Sequence, residues 1–263
     1  MAPAAAPGAG VPAYLPAEGL PPEVGGLMAT RRGGVSRAPF DSMNLRPAGL
    51  RGDAMDEPAA IQENQRRFTA WLEGAQPVFL DQVHGAQVVR LTRADLAPGR
   101  GHPRADASVT TETGIACTVL VADCLPVLFA APGGRGVAAA HAGWRGLAGG
   151  VLEVTVQALC EAAGCEAAEL SAWLGACIGP AAFEVGEDVR EAFGPASSAC
   201  FRPGARAGKW WADLPALARQ RLAALGVHRQ AGGVWCTFSD PAAFFSFRRD
   251  GLTGRHAAAI WLR

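Results

Sequence analysis

The stretch 137–163 most constrains the fold, because its pattern changes from an apolar run to a helical repeat across a glycine-containing turn. Residues 137–140 are all apolar and are typical of the end of a buried strand. After the turn, apolar side chains recur at helical spacing until Gly164, a typical helix end. The pattern predicts a strand and then a helix, with His141 and Arg145 in the turn between them. An arginine at a helix N-terminus is unfavourable unless an anion joins it, so Arg145 indicates either an anion site or a solvated turn.

Two other apolar runs are interrupted by side chains that can bind a metal. Residues 119–130 read Val-Leu-Val-Ala-Asp-Cys-Leu-Pro-Val-Leu-Phe-Ala, which predicts two buried strands broken by an acid and a thiol, Cys124. Residues 79–84 predict a third strand that ends at His84. Together with His141, these side chains could supply the three protein ligands of a catalytic zinc ion. The alternatives are a small buried thiol and two hydrogen-bonded histidines.

The composition favours a single globular domain without nucleic-acid or membrane partners. The 263 residues are 49% hydrophobic and 18% charged, and the formal net charge is zero. We find neither an apolar run of roughly 18 to 20 residues nor the pattern of a signal peptide. The seven cysteines include no Cys-X-X-Cys pair, so we expect a reduced, cytoplasmic protein. No feature indicates a protein partner.

The N-terminal residues 1–22 are largely Ala, Pro and Gly, and we expect them to be disordered. The catalytic domain would then span residues 23–263. Its first feature is a polar loop with three arginines at 30–45, and a helix is predicted from Pro58 onwards.

Strand patterns predominate in the rest of the chain, at 78–83, 88–92, 108–111, 115–121, 127–130, 136–141 and 171–178. Besides the helix after Arg145, helices are predicted at 186–193 and from Asp213, a helix cap, to Gly226. The C-terminal residues 244–251 and 255–262 predict two strands joined by an Asp-Gly turn. This order predicts an α/β or α+β fold, a single layered domain with mixed β-sheets packed against outer helices.

Four ordered motifs resemble the YfiH-like family, which older naming calls the laccase-domain or multicopper polyphenol oxidase family. They are Asp-Gln-Val-His-Gly at 81–85, Ala-Asp-Cys-Leu-Pro-Val at 122–127, Ala-Ala-His-Ala-Gly-Trp-Arg-Gly at 139–146 and Gly-Ala-Cys-Ile-Gly-Pro at 175–180. Residues 30–36 and 248–255 are similar to two further signatures of that family. The resemblance covers about residues 24–263 and implies a single α/β domain with sheets packed between helices.

The resemblance implies a metal held by His84, Cys124 and His141, with zinc expected and copper as the alternative. It implies a purine nucleoside phosphorylase that cleaves adenosine, inosine and methylthioadenosine with phosphate, and that also deaminates adenosine. The arginines expected to contact substrate are Arg31, Arg145 and Arg248.

The chain departs from the family pattern in two places. Ala-Pro-Gly-Gly at 131–134 replaces an acid that often follows the strand of the Ala-Asp-Cys motif, and it involves no predicted ligand. Phe183 and Phe247 stand where the family tends to have tyrosine, so two hydroxyl groups are missing.

Three other functions are open. Cys124 could be the nucleophile of an amide hydrolase acting on peptidoglycan precursors, with His141 or His84 as its base. A copper phenol oxidase would need further histidines, and the chain has five in total and no His-X-His pair. A purely structural zinc site would need a fourth protein ligand.

Overall fold

The computed structural model describes residues 11–50 and 56–263. In chain order the strands are β1 (Tyr14–Pro16), β2 (Val24–Ala29), β3 (Gln76–Val78), β4 (Val88–Arg90), β5 (Ala107–Thr110), β6 (Ile115–Val121), β7 (Leu125–Ala130), β8 (Val137–Ala142), β9 (Ser171–Leu174), β10 (Glu184–Gly186), β11 (Phe201–Pro203), β12 (Lys209–Ala212), β13 (Arg229–Gly232) and β14 (His256–Leu262). The α-helices are α1 (Pro58–Ala70), α2 (Trp144–Ala148), α3 (Val151–Ala163), α4 (Glu187–Phe193), α5 (Leu214–Ala224) and α6 (Phe247–Asp250).

The strands form two stacked mixed sheets and one small antiparallel sheet. The first sheet has the order β1-β2-β14-β6-β3, and the second has the order β13-β9-β7-β8-β5-β4. The small sheet, β10-β12-β11, accompanies α4. The prediction of a layered α/β fold with mixed sheets is confirmed.

Alternation along β7 shows how the layers are packed. Leu128 and Ala130 belong to the core between the two sheets, which also contains Val119 and Ile260 of the first sheet. The neighbouring Phe129 lies in the other core, where α3 and α5 cover the second sheet. The opposite face of the first sheet packs against α1, in a cluster that includes Phe68 and Leu72. Successive strand residues face opposite sides, so both faces of these central strands are buried and their sequences are continuously apolar.

The connection from β6 to β7 carries the chain from the first sheet to the second. β6 lies in the first sheet and β7 in the second, and only residues 122–124 separate them. A crossing this short confines the Asp123–Cys124 pair to the edge of the core between the sheets. The break in the apolar run at 119–130 is therefore a sheet-to-sheet crossing.

Several sequence predictions are confirmed at the level of elements. Helix α1 begins at Pro58, and α4 and α5 lie where helices were expected. Asp213 caps α5 by accepting a hydrogen bond from the Ala216 N–H at 2.9 Å. No helix of the described residues is long and apolar enough to cross a membrane.

The strand predicted at residues 79–84 is wrong, because β3 ends at Val78, before this segment begins. The Gln82 side chain takes the place of a strand backbone there. Its amide donates to the Leu120 carbonyl at 2.8 Å and accepts from the Leu120 N–H at 2.7 Å. Because the Gln82 side chain satisfies these two groups, the backbone of residues 79–84 does not have to pair with β6 as a strand.

The strand predicted at residues 244–251 is also wrong. Ser246 accepts a hydrogen bond from the Arg249 N–H at 3.2 Å and begins the short helix α6. The Arg249 guanidinium donates to the carbonyl groups of Thr237, Phe238 and Phe244. These contacts fold the segment back on the preceding loop, and only β14 forms a strand.

Part of the N-terminal stretch expected to be disordered is ordered. Tyr14 pairs with Ala29 in the antiparallel β1–β2 ladder. Thr30 donates its backbone N–H to the Ala13 carbonyl at 2.9 Å and its hydroxyl to the Pro12 carbonyl. The low apolar content of the stretch does not prevent this, because a sheet edge offers backbone partners to any sequence. Residues 1–10, which the same prediction covers, lie outside the described residues.

The helix predicted after residue 145 starts earlier and is divided. His141 lies within β8, and Arg145 is the second residue of the five-residue helix α2. Gly150 then adopts a φ of 91°, a left-handed conformation that glycine favours, and α3 begins after it. The strand-to-helix turn is therefore tighter than the pattern predicts.

Candidate metal centre

The side chains of His84, Cys124 and His141 meet at one edge of the sheet stack. One possible ligand atom from each residue lies within 4.8 Å of the others. The two imidazole rings are 4.8 Å apart between centroids and nearly perpendicular, at 79°. Three zinc ligands with bonds of about 2.0 to 2.3 Å can be separated by roughly 5 Å at most. The spacing therefore meets the limit for a shared ion.

The crossing between the sheets positions Cys124. Asp123 has a φ of 88°, which a non-glycine residue adopts only when its surroundings hold it. Its carboxylate accepts hydrogen bonds from the Thr237 hydroxyl at 2.6 Å and the Arg248 N–H at 2.7 Å. Its carbonyl accepts from the Ile178 N–H at 2.9 Å. Three separate segments thus fix the residue that precedes the thiol.

Register between β7 and β8 brings His141 to the same place. Pro126 pairs with His141 and Leu125 pairs with Ala142, so the end of β8 lies beside the start of β7. Cys124 immediately precedes β7. His141 is 2% exposed and belongs to the strand itself, and it is the most buried of the three side chains.

Asp106 connects the two histidines and was missed by the sequence analysis. It is fully buried, and its carboxylate accepts hydrogen bonds from the backbone N–H groups of Val83, His84 and Gly85 at 3.2, 2.9 and 2.7 Å. The same carboxylate lies 2.9 Å from Nδ1 of His141. An acid directly before a buried strand is the only sequence signal for it, and this signal is weak. One buried carboxylate thus orients both the loop of His84 and the ring of His141.

His84 completes the group from the solvent side. It is exposed and has a φ of 62°, and its position in the loop after β3 depends on the Asp106 hydrogen bonds. Gly143 leaves room for the three side chains, because a Cβ there would lie 2.9 Å from Cys124 Sγ and 3.4 Å from His84 Cδ2. Gly143 of the His-Ala-Gly-Trp-Arg-Gly motif therefore has a steric role at the site.

Electrostatics favour a thiolate at Cys124 and a proton on His141 when the site holds no cation. Burial alone would raise the pKa of Cys124, but the charge and hydrogen bond of His141, with help from His84, lower it to about 6. Burial would lower the pKa of His141, but Cys124 and Asp106 raise it to about 9. Burial likewise opposes ionisation of Asp106, yet its hydrogen bond with His141 and the backbone N–H groups lower its pKa.

The donor set fits a borderline-soft divalent cation. A thiolate and two imidazoles are ligands of catalytic zinc sites, which keep a fourth position for water or substrate. The Asp106 contact engages Nδ1 of His141 and leaves Nε2 for the ion. No fourth His, Cys, Asp or Glu from residues 11–50 or 56–263 joins the group. The site can therefore hold a metal with an open position facing solvent at His84.

The three predicted substrate arginines have different surroundings. Arg31 donates to the carbonyls of Asp41 and Pro241, at 2.8 and 2.9 Å, and pairs with the Asp41 carboxylate at 3.2 Å. Arg248 donates its guanidinium to the Glu184 carbonyl at 2.9 Å, while its backbone holds Asp123. Arg31 thus connects two loops, and Arg248 connects α6 to β10.

Arg145 is exposed, and its guanidinium lies 4.4 Å from the ring centroid of Trp144. Within the described ranges it forms no ion pair. Helix α2 has only five residues, so its dipole is a smaller source of anion affinity than the sequence pattern predicts.

Sequence reasoning missed a fourth arginine, Arg255. Its guanidinium donates to the Thr253 and Gly254 carbonyls, and no carboxylate in the described parts of the chain pairs with it. Burial and the nearby Arg46 lower its pKa, whereas the charges of Cys124 and Asp123 act in the opposite direction. It therefore places a partly buried positive charge on the Cys124 side of the site.

Comparisons with known proteins agree over nearly the whole chain. A purine nucleoside phosphorylase of Pseudomonas aeruginosa is 50% identical over 246 residues, covering 92% of this chain and 95% of that protein. The purine nucleoside phosphorylase YfiH of Escherichia coli is 47% identical, with coverage of 92% and 95%.

Two solved structures are also similar to this chain over nearly its whole length. A Neisseria meningitidis protein has a TM-score of 0.86 and 44% identity, covering 95% of this chain and 99% of its own. YlmD from Geobacillus stearothermophilus has a TM-score of 0.87 and 30% identity, with coverage of 97% and 98%. The family model described as multi-copper polyphenol oxidoreductase laccase matches residues 26–263. The chain is therefore a member of this laccase-named, YfiH-like family.

Proposed function

We propose that the protein is a zinc-dependent purine nucleoside phosphorylase that uses adenosine, inosine and methylthioadenosine, with adenosine deaminase activity at the same site. The observation that carries the proposal is the convergence of a thiolate and two imidazoles around one open position. Relatives of 47% and 50% identity named purine nucleoside phosphorylase support the reaction class.

The residues that would hold the ion are Cys124, His141 and His84, with Asp106 orienting His141. Zinc held there would supply a Lewis acid and lower the pKa of a coordinated water toward about 7. The ligand set keeps its shape because the crossing turn and β8 fix two of its members. The exposed position of His84 supports an open side toward solvent, where a nucleoside would enter.

Phosphorolysis requires an anion site beside the reacting sugar. Arg145 follows His141 by four residues and has an exposed guanidinium that pairs with no carboxylate of the described ranges. It is therefore proposed to bind phosphate. Arg255 would stabilise negative charge on the phosphate or on the departing purine from the Cys124 side, since the charge of Cys124 already acts on it. Arg31 and Arg248 remain predicted substrate contacts, although their side chains would have to exchange loop contacts for substrate.

A specific observation also favours a second candidate, a cysteine amidase acting on peptidoglycan precursors. Cys124, His141 and Asp106 have the arrangement of a nucleophile, a base and an orienting carboxylate. In that reaction the thiolate would attack an amide carbonyl carbon, and the protonated His141 would give its proton to the leaving amine. A copper phenol oxidase stays third, since the described residues offer one His₂Cys group and no second histidine cluster.

The deciding experiment is metal analysis of the purified protein combined with product detection on adenosine, with and without phosphate. We expect about one zinc per chain, adenine and ribose 1-phosphate only when phosphate is present, and inosine in both cases. Chelation should abolish the products and zinc should restore them. Full turnover by verified metal-free protein, with a substrate adduct on Cys124, would favour the amidase and contradict the phosphorylase proposal.

A further inference from the structure

Two cysteines, Cys177 and Cys236, lie next to residues that support the metal centre, and they have no part in the proposed reaction. Cys177 and Cys236 are the two partners of an isolated parallel β-bridge, and both are free thiols. Adjacent strands are about 4.8 Å apart, which is within the roughly 4.4 to 6.8 Å between Cα atoms of disulfides. The backbone therefore already holds the two residues at disulfide distance.

Hydrogen-bond donors surround the Cys236 sulfur. The Gly179 N–H donates to it at 3.2 Å, and the Ser239 hydroxyl and the N–H groups of Ser239 and Phe238 also act on it. Burial opposes ionisation, but these donors lower the pKa of Cys236 below its usual value. Gly179 allows the approach, because a Cβ at this position would lie 3.1 Å from the sulfur.

The other half-buried thiols outside the metal centre have different surroundings. Burial raises the pKa of Cys160, Cys165 and Cys200. Cys177 is fully buried, and burial and its neighbour Cys236 raise its pKa as well. Cys236 is thus stabilised as the thiolate nucleophile, and Cys177 is kept as a protonated thiol.

We infer that Cys236 and Cys177 form a redox-sensitive pair that a hydroperoxide closes to a disulfide. In the first step the Cys236 thiolate attacks one peroxide oxygen, the O–O bond breaks, and the alcohol leaves after taking a proton from water. Cys236 is oxidised to a sulfenic acid. The Cys177 sulfur then attacks Cys236, the S–O bond breaks, and the hydroxyl group leaves with the Cys177 proton as water.

The pair adjoins the residues that hold the Cys124 turn. Thr237, next to Cys236, donates its N–H to the Cys177 carbonyl at 2.9 Å and its hydroxyl to the Asp123 carboxylate at 2.6 Å. Ile178, next to Cys177, donates its N–H to the Asp123 carbonyl. Closing the disulfide would pull on both supports of Asp123 and loosen the metal ligand that follows it. This second part of the inference rests on the proposed metal site.

Mass spectrometry of the full-length protein tests the disulfide without any activity assay. Reduced protein is treated with hydrogen peroxide, alkylated and digested with trypsin. We expect peptide 146–190 linked to peptide 230–248, with fragment ions placing the link on Cys177 and not on Cys160 or Cys165. The link should be absent in Cys236→Ser and unchanged in the matched control Cys200→Ser. In Cys177→Ser, dimedone should trap a sulfenic acid on Cys236.

Before oxidation, iodoacetamide at neutral pH should label Cys236 about tenfold faster than Cys200. Equal labelling rates, or oxidation of Cys236 in the wild type without any link to Cys177, would overturn the pair. A disulfide that joins Cys236 to a cysteine other than Cys177 in the oxidised wild type would assign the chemistry to other thiols and overturn it as well.

Zinc release to a chromophoric chelator tests the coupling to the metal centre. The oxidised wild type should release zinc at least about tenfold faster than the reduced protein, and oxidised Cys236→Ser should not. Equal release from both oxidised proteins, with the link verified in the wild type, would overturn the coupling. Reduced protein that binds no zinc would contradict the proposed function instead, while the mass spectra would still decide the disulfide.

Discussion

The inner and outer halves of the metal centre are held by different means. The inner half comprises Cys124 and His141, fixed by the crossing between the sheets and by the register of β7 against β8. The outer half is the exposed His84, on a loop that leaves the sheet after β3. Asp106 belongs to both halves, since its carboxylate bonds the His141 ring and the backbone of the His84 loop.

Because of this difference, we expect substitutions in the two halves to have different effects on the stability of the fold and on ligand binding. His141 is buried within a strand and Cys124 is half-buried in the turn before β7, so changing them disturbs the fold and the site together. Outer residues are exposed, so their loss should affect the bound ion or substrate with little change in the free energy of unfolding. The comparison predicts a graded series of effects, which decreases from Asp106 outwards.

Removing the shared carboxylate should have the largest effect. Asp106→Ala leaves three backbone N–H groups and a protonated His141 without their buried partner. Loss of one member of a buried charged pair costs about 3–5 kcal/mol in the free energy of unfolding. We expect a loss of this size in urea unfolding, with loss of bound zinc. Asp95→Ala is the matched control, since Asp95 caps a short 3₁₀ turn through Thr92 and pairs with the exposed Arg100 at 3.5 Å. It should cost about 1 kcal/mol and leave zinc content unchanged.

Full zinc binding by a folded Asp106→Ala protein would show that the two halves are held independently. The buried carboxylate would then have a purely structural role in the His84 loop.

The two histidine variants should separate the halves. His84→Ala and His141→Ala each remove one proposed ligand, so both should lower zinc affinity by at least about 100-fold in chelator competition. In metal-free protein, His141→Ala should also lower the free energy of unfolding, by roughly 1–3 kcal/mol, because the buried Asp106 carboxylate loses the imidazole that faces it. His84→Ala should change it by about 0.5 kcal/mol or less. Equal destabilisation by both variants would contradict the division into two halves.

The inner and outer halves also differ in how far they can be predicted from the sequence. Cys124 and His141 interrupt apolar runs that must be strands, so pattern and resemblance both indicate them. Asp106 carries no comparable signal, because its role depends on a loop 21 to 23 residues earlier in the chain turning back toward it.

The motif around His84 was predicted to end a strand, and that prediction is wrong. Gln82 supplies with its side chain the hydrogen bonds that a backbone would make with Leu120, and no periodicity reports such a substitution. The C-terminal segment was missed for a similar reason, since Arg249 satisfies carbonyl groups that a strand would otherwise pair. Long side chains that replace backbone partners are invisible to rules based on alternation.

Thiol reactivity tests the inner half in metal-free protein. The pKa of Cys124 is lowered to about 6, so the thiolate is present above that pH and lost below it. We expect the alkylation rate of Cys124 to rise as the pH passes about 6 and to be nearly constant from about 7 to 8. His141→Gln removes the main stabilising charge and should move this rise to higher pH. Cys117, whose pKa burial raises to about 12, is the internal control and should remain unlabelled. An unchanged pH profile in His141→Gln would show that His141 does not stabilise the thiolate.

The smallest effects should come from the arginines at the outer edge, where Arg145 and Arg31 make a matched pair. Arg145 is exposed, and within the described ranges its guanidinium forms no hydrogen bond or ion pair, so Arg145→Gln should leave urea unfolding unchanged. If Arg145 binds phosphate, the KM for phosphate should rise about tenfold, the loss of roughly 1.4 kcal/mol from one charge-assisted contact. Deamination of adenosine uses no phosphate and should keep its rate.

Arg31→Gln should show the reverse. We expect a loss of about 1 kcal/mol in the free energy of unfolding, from the carbonyl and Asp41 contacts of Arg31, and a smaller change in the KM for phosphate. If the phosphate KM rose in Arg31→Gln and not in Arg145→Gln, the anion site would lie on the loop at residues 30–45 instead of beside His141.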